Sequence, residues 1–213
     1  MTTLITQFAS RISPHVPGAP AALVRQALID AATEFCTRTN AWNEIQDAIL
    51  TSANNADYEL ELPSGAIPLI VEEVWSEGDR LVPLTMAQLH LVLPDWQTAI
   101  GTPAYYNSEF DMLGFRVFPA PAASGLKLRI RGSFAPTEAS ESLPDFMWTK
   151  YRETLASGAK ARLLVAPESV AWSNPKLGAY HQALFDSGIA DARIAVLHGR
   201  VAGTLTVTPR SFR

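Results

Sequence analysis

Cysteine occurs once in the 213 residues, as Cys36, so no internal disulfide can form. That excludes a disulfide-stapled secreted fold and fits a reducing compartment. Charge is also scarce: Lys, Arg, Asp and Glu make up 18% of the chain, 17 cations against 21 acids, for a net charge of −4. Such mild acidity argues against a protein whose main work is gripping nucleic acid. Long apolar runs are missing; the strongest, such as Ala66 to Val71, fall far short of a bilayer span. The opening Met1-Thr2-Thr3-Leu4-Ile5 lacks the basic segment and apolar core of a signal peptide. The chain therefore reads as soluble and intracellular, with no membrane partner. What remains is an ordinary globular composition, 47% hydrophobic and punctuated by 15 prolines.

Three stretches carry helical periodicity. After Pro17-Gly18-Ala19, with Pro20 where a first turn tolerates proline, Val24, Leu28, Ala31 and Phe35 recur at spacings of four, three and four. Ala27 and Ala32 lie beside them, and Arg25, Gln26, Asp30, Thr33, Glu34 and Thr37 fill the opposite face. The second helix is expected to open at Ser142-Leu143-Pro144-Asp145, with Ser142 as cap and Asp145 against the positive end of the dipole. Its stripe is Tyr151, Leu155, Ala159 and Leu163, and Ala166-Pro167 ends it. Asn174-Pro175 opens the third. Leu177, Tyr180 or His181, Leu184 and Gly188 line one side; Phe185, Ile189, Ala192 and Val196 line the next; Gly199 is the natural stop.

Between the first two helices the period changes to two. Asp57-Tyr58-Glu59-Leu60-Glu61-Leu62 alternates strictly and predicts a strand with one apolar face. Ile67–Trp75 and Leu81–Leu84 flank Glu77-Gly78-Asp79 and predict a hairpin. Thr85-Met86-Ala87-Gln88 has capping-box spacing and starts a short helix stopping at Pro94. Leu113–Phe118 and Leu126–Phe134 predict two further strands. The expected fold is α+β: a helical bundle (residues 1–56 and 143–199) carrying an inserted β-rich domain (57–142). An extended C-terminal tail (200–213) follows, holding threonines and arginines but no acid.

Reactive groups do not assemble into a recognisable site. His15, His90, His181 and His198 show none of the close pairings of a zinc or di-metal centre. Cys36, beside Phe35 on a helix, reads as a small buried hydrophobe rather than a nucleophile. Gly199-Arg200-Val201-Ala202-Gly203-Thr204 lacks the lysine of a phosphate loop, and Gly132-Ser133-Phe134 lacks the second glycine of a nucleophile elbow. Glu72 and Glu73, adjacent on a strand, are expected on opposite faces, where they cannot cooperate. No catalytic, metal or cofactor residue is assigned. An enzyme using Tyr105, His181 and Asp191 stands as a distant alternative.

Two charge patterns stand out. Lys127, Arg129 and Arg131 alternate with Leu126, Leu128 and Ile130, so three cations line one strand face, while Asp57, Glu59 and Glu61 form a matching acidic strand. Both faces can simply be solvated, or the ladders can meet within one sheet or between subunits. Between subunits the contact would run head to tail and build a ring. Trp42, Trp75, Trp96, Trp148 and Trp172 read as core or half-buried anchors, one or two of them suited to an interface.

The order of several segments resembles the head–tail adaptors of tailed bacteriophages, the connector or gatekeeper proteins that include tail tubular protein A-like chains. The helix Ala21–Cys36 and the strand Tyr58-Glu59-Leu60-Glu61-Leu62-Pro63 look like that family's opening. Gly101-Thr102-Pro103-Ala104-Tyr105-Tyr106 and Phe115-Arg116-Val117-Phe118-Pro119-Ala120-Pro121 are similar to its middle part. Leu143-Pro144-Asp145, Ser157–Leu164 and Trp172-Ser173-Asn174-Pro175 follow in the same order, so the resemblance spans about residues 15 to 197. It implies a virion structural protein, assembled in the host cytoplasm into a ring, usually dodecameric, beneath the portal. Its partners would be itself, the portal and a downstream tail or nozzle protein, with double-stranded genomic DNA passing through the lumen. A tail-tube or tail-completion protein of the same virion is the alternative. Such adaptors often send a C-terminal extension onto the portal. Here Val201, Thr204, Leu205, Val207, Pro209, Arg210, Phe212 and Arg213 would serve, in a tail expected to be disordered until it docks.

Overall fold

The stripe Val24, Leu28, Ala31 and Phe35 lies buried along a helix, as its spacing predicts. The structure, a computed structural model, describes residues 2–109, 114–167 and 169–198. The chain opens with β1 (Thr2–Leu4), α1 (Ile5–Ile12), a 3₁₀ turn over Ser13–His15, and α2 (Ala21–Thr39). Next come β2 (Asn43–Ile45), β3 (Ile49–Leu50), β4 (Asp57–Glu59), β5 (Ala66–Ser76), β6 (Asp79–Arg80) and β7 (Val82–Pro83). Then α3 (Met86–Val92) precedes β8 (Ile100–Gly101), β9 (Tyr105–Asn107), β10 (Gly114–Phe118), β11 (Ala120–Pro121) and β12 (Lys127–Pro136). Finally β13 (Ser142–Pro144) runs into α4 (Asp145–Leu164), and α5 (Pro175–Leu197) follows. The mixed α and β content agrees with the expected class.

Four helices, α1, α2, α4 and α5, close around one apolar cluster that holds Phe8, Leu28, Phe35, Leu155 and Phe185. The ends of β5 and β12, through Ala66, Phe134 and Ala135, reach into the same cluster. A second cluster lies between two sheets. One sheet has the order β2-β12-β5-β6, with β3 also paired to β12; the other has the order β4-β10-β9-β7. Val71, Val74, Leu128 and Ile130 enter this cluster from the first sheet, and Tyr58, Phe115, Val117 and Tyr106 from the second. The two sheets thus face each other as layers of a sandwich.

Helix boundaries follow local chemistry at two predicted places. Thr85 and Gln88 form the reciprocal capping box at the start of α3, and the Asn174 side chain accepts from the Leu177 N–H at the start of α5. Ser142 does not cap α4. Ser142–Pro144 is instead β13, antiparallel to β1 with Thr3 opposite Leu143, and Pro144 occupies the cap position. The Thr3 hydroxyl then donates to Asp145 Oδ1 at 2.6 Å, tying the start of the chain to the first turn of α4. A contact between opposite ends of the sequence overrides the local capping signal.

Three further readings are corrected. Helix α1 has no counterpart among the predicted elements, yet Ile5, Phe8 and Ile12 are buried in the core. On α5 the inner face is Gly178, His181, Phe185, Ile189 and Ala192, whereas Tyr180 and Leu184 face out at 59% and 42% exposure. The hairpin after β5 is shorter than expected. Its turn places Glu77 and Gly78 at φ 50° and 100°, both left-handed, as a two-residue primed turn requires. Only β6 returns along β5; Val82–Pro83 crosses to the other sheet and pairs in parallel with β9.

Candidate assembly surfaces

Alternation places the acidic residues on the outside of the second sheet. Tyr58 and Leu60 point into the inter-sheet cluster, so Asp57, Glu59 and Glu61 face outward. Arg116, opposite Asp57 in β10, forms a bidentate pair with it; Nη2 donates to Oδ2 at 2.8 Å, and Nε donates to Oδ1. Glu59 and Glu61 have no ion-pair partner among the described residues. The backbone of Glu61 is held by the Gln46 side chain, which accepts from its N–H at 3.2 Å and donates to its carbonyl oxygen. That contact ties the chain just past β4 to the end of β2 in the first sheet.

The cations occupy the outside of the first sheet. Leu128 and Ile130 are fully buried in the cluster, so Lys127, Arg129 and Arg131 project from the other face of β12. Lys127 and Arg129 are exposed and meet no carboxylate through their charged ends among the described residues. Arg131 is satisfied inside the chain by Glu72, Nε to Oε2 at 3.0 Å. Asp57 and Glu59 therefore stand on the outer face opposite that of the three cations, Glu61 lies past β4 at the Gln46 contact, and no ion pair joins the two ladders among the described residues.

A β-bulge produces the Arg131–Glu72 pair. Arg131 sits opposite Glu73 and Gly132 opposite Val71, leaving Glu72 as the extra residue on β5. Val71 and Val74 both enter the core, so Glu72 and Glu73 both lie outward rather than on opposite faces. Strict alternation misplaced this pair because the bulge inserts one residue into the period. Glu73 reaches Arg80 at 2.8 Å. Burial raises the Glu72 carboxyl above its ordinary range, Arg131 works against that rise, and Glu73 adds to it.

Beside the free cations lies a groove of about 430 Å³ lined by Ile45, Ala48, Trp75, Glu77, Lys127 and Arg129. Trp75 is half-buried there, and Ile45 is 62% exposed. Glu77, the carboxylate in this groove, accepts from the Lys127 backbone N–H at 2.5 Å. The other tryptophans serve packing. Trp42 is buried and donates to Glu44, Trp148 meets Phe8 edge-on at 4.9 Å, and Trp96 meets Phe118 edge-on at 5.6 Å. Trp172 packs half-buried against the helical cluster.

Tyr105, His181 and Asp191 do not converge. Tyr105 belongs to β9; Asp191 is exposed on α5, ten residues or about 15 Å of helical rise from buried His181. His181 instead meets His15 edge-on at 5.8 Å, a pairing invisible in the sequence because the two come from opposite ends of the chain. Its Nδ1 has no hydrogen-bond partner among the described residues. Burial, Lys160 and His15, in that order, lower the affinity of His181 for a proton. Burial also lowers that of Lys160. Cys36 is fully buried, and burial pushes its thiol far above the usual range, which makes it inert. Among the described residues no group of three or more His, Cys, Asp or Glu is arranged to hold a metal ion. Among the described residues no helix is long and apolar enough to cross a membrane. The proposed docking segment, Val201 to Arg213, lies outside the described residues.

The fold thus has two apolar clusters, with the Asp57–Glu59 strand and the Lys127–Arg131 strand on different sheets of the sandwich. The SU10 adaptor protein family matches residues 1–208, and the chain belongs to that family of phage head–tail adaptors. Its proteins are structural rather than enzymatic and are located in the virion. Adaptor membership brings interaction with other virion proteins such as the portal and tail. No curated protein matches the sequence.

Proposed function

We propose that this adaptor forms a closed ring, dodecameric as the resemblance implies, beneath the portal of the filled capsid. It joins the head to the downstream tail or nozzle protein, and DNA passes through its lumen. The family match over residues 1–208 carries this reading. Two features of the chain support it. Its net charge of −4 suits a channel wall past which phosphates must slide, since a basic lumen would hold the genome by counterion release. Unpaired carboxylates at Glu59 and Glu61 and unpaired cations at Lys127 and Arg129 suit a head-to-tail contact, the kind that gives a ring when its rotation closes.

The helical part, residues 1–56 with 143–199, and the β-rich part, 57–142, act in this reading as two units of each subunit. Strands β2 and β3, which precede residue 57, pair with β12 and link the two. The tail docks on the portal through Val201, Thr204, Leu205, Val207, Pro209, Arg210, Phe212 and Arg213, a segment with cations and no acid. Truncation tests this directly. Mixed with the portal purified from the same phage, the full chain should co-elute with it in light scattering, whereas a chain ending at Arg200 should elute alone with an unchanged melting temperature. Co-elution of the truncated chain would refute docking through the tail.

A further inference from the structure

Each charge ladder has three rungs in the sequence, and the fold uses one rung of each internally. Asp57 is taken by Arg116, and Arg131 is taken by Glu72. Two carboxylates, Glu59 and Glu61, and two cations, Lys127 and Arg129, are left exposed. Lys127 and Arg129 are spaced i and i+2 on β12, roughly 6.6 Å apart, and Glu59 and Glu61 share that sequence spacing, so the pairs can be matched rung for rung in either direction. Glu59 and the two cations look away from each other across the sandwich, Glu61 lies at the Gln46 contact beside the end of β2, and no ion pair joins the two sets among the described residues.

We infer that Glu59 and Glu61 of one subunit dock onto Lys127 and Arg129 of the next. This inference rests on the ring reading above and names the contact that would build it. The occupant of the groove beside Lys127 and Arg129 is a second copy of this chain, on charge complementarity: the same molecule presents a matching acidic pair on β4 and just past it. Ile45 and Trp75 give the basic groove an apolar floor, which shields the docked pairs from water and makes them more than surface ion pairs. Glu77 in that groove is held by the Lys127 backbone and leaves a net positive lining. A contact between unlike faces leaves one of each free at every step, so it propagates, and it ends in a ring when the rotation between subunits closes.

Cysteine cross-linking tests this contact. In a Glu59→Cys, Arg129→Cys double variant, the two thiols lie on opposite outer faces of sheets stacked about 10 Å apart, beyond the reach of a disulfide within one chain. Cys36 is buried and does not compete. Oxidation, of the protein alone at high concentration and of the protein mixed with its phage's portal, should give a series of multimers on a non-reducing gel. Monomer alone in both samples, for this variant and for Glu59→Cys with Lys127→Cys, which covers the other strand direction, overturns the contact. Charge reversal gives a second test. Lys127→Glu with Arg129→Glu should weaken self-association by roughly tenfold or more, and adding Glu59→Lys with Glu61→Lys should restore it. Light scattering of the wild type separates the two levels of failure. Rings without cross-links refute this contact and leave the ring reading standing, whereas absence of any oligomer, alone or with portal, refutes both.

Discussion

Phe185 of α5 lies against the backbone of Gly158 on α4, so close that a methyl group on that glycine would sit 2.8 Å from the ring. Ala31 of α2 closes the other side at 3.0 Å. Three helices therefore meet at a point where only hydrogen fits. Gly158→Ala gains about 1 kcal/mol in helix propensity but overpacks the core by about 1–3 kcal/mol. The net expectation is a lower melting temperature, checked by calorimetry; an unchanged or higher value would show that the helices shift apart at little expense.

Helix α1 is expected to be indispensable to the helical cluster despite its eight residues. Phe8 is fully buried and packs edge-on against Trp148. Phe8→Ala should destabilise the fold by about 3–5 kcal/mol, the range for emptying a buried aromatic site. Denaturant titration measures this, and a loss below about 1 kcal/mol would mean that the first turn of chain is only loosely attached.

Neighbouring rungs of the basic ladder should behave differently. Arg131→Met removes the partner of a half-buried carboxyl and should cost about 1 kcal/mol, since both groups keep some solvent. It should also raise the Glu72 pKa further, because burial then acts unopposed by Arg131. Arg129→Met should stay within about 0.5 kcal/mol, as expected for an exposed substitution that breaks no ion pair among the described residues. Thermal melts of dilute protein and a carboxyl titration by NMR distinguish the two.

Acid should loosen the packing of α5. His181 is buried with a lowered pKa, so the folded chain resists the proton that the unfolded chain accepts near pH 6.5. Stability is therefore fully present above about pH 6.5 and falls as the pH drops below it. Lys160 on α4, His15 on the 3₁₀ turn and Tyr180 beside it are the groups around His181. Lys160→Met removes one of the two positive neighbours and should flatten part of the slope, and His181→Leu should flatten more. Melting temperatures between pH 5 and 7.5 test the order.

Local signals carried the regular parts of this fold. The α2 stripe, the Asn174 cap of α5 and the Thr85–Gln88 box are readable because each depends on residues within four positions. Ser142 and α1 escaped because their fates are set by β1 pairing with β13 and by burial against α4, contacts between distant stretches. Alternation exposed the ladders, but it could not reveal that Asp57 and Glu59 face away from the three cations, which depends on two sheets sharing one core. Nor could it anticipate the bulge that brings Glu72 to Arg131 and removes one rung.

The central claim is a ring joined to the portal. An electron-microscopy reconstruction of this protein mixed with the portal purified from its own phage tests that claim most directly. The account predicts an added ring, coaxial with the portal, in which each subunit's acidic edge at Glu59 and Glu61 abuts Lys127 and Arg129 of its neighbour. A portal without added density, or tubes formed by this protein alone, would contradict it.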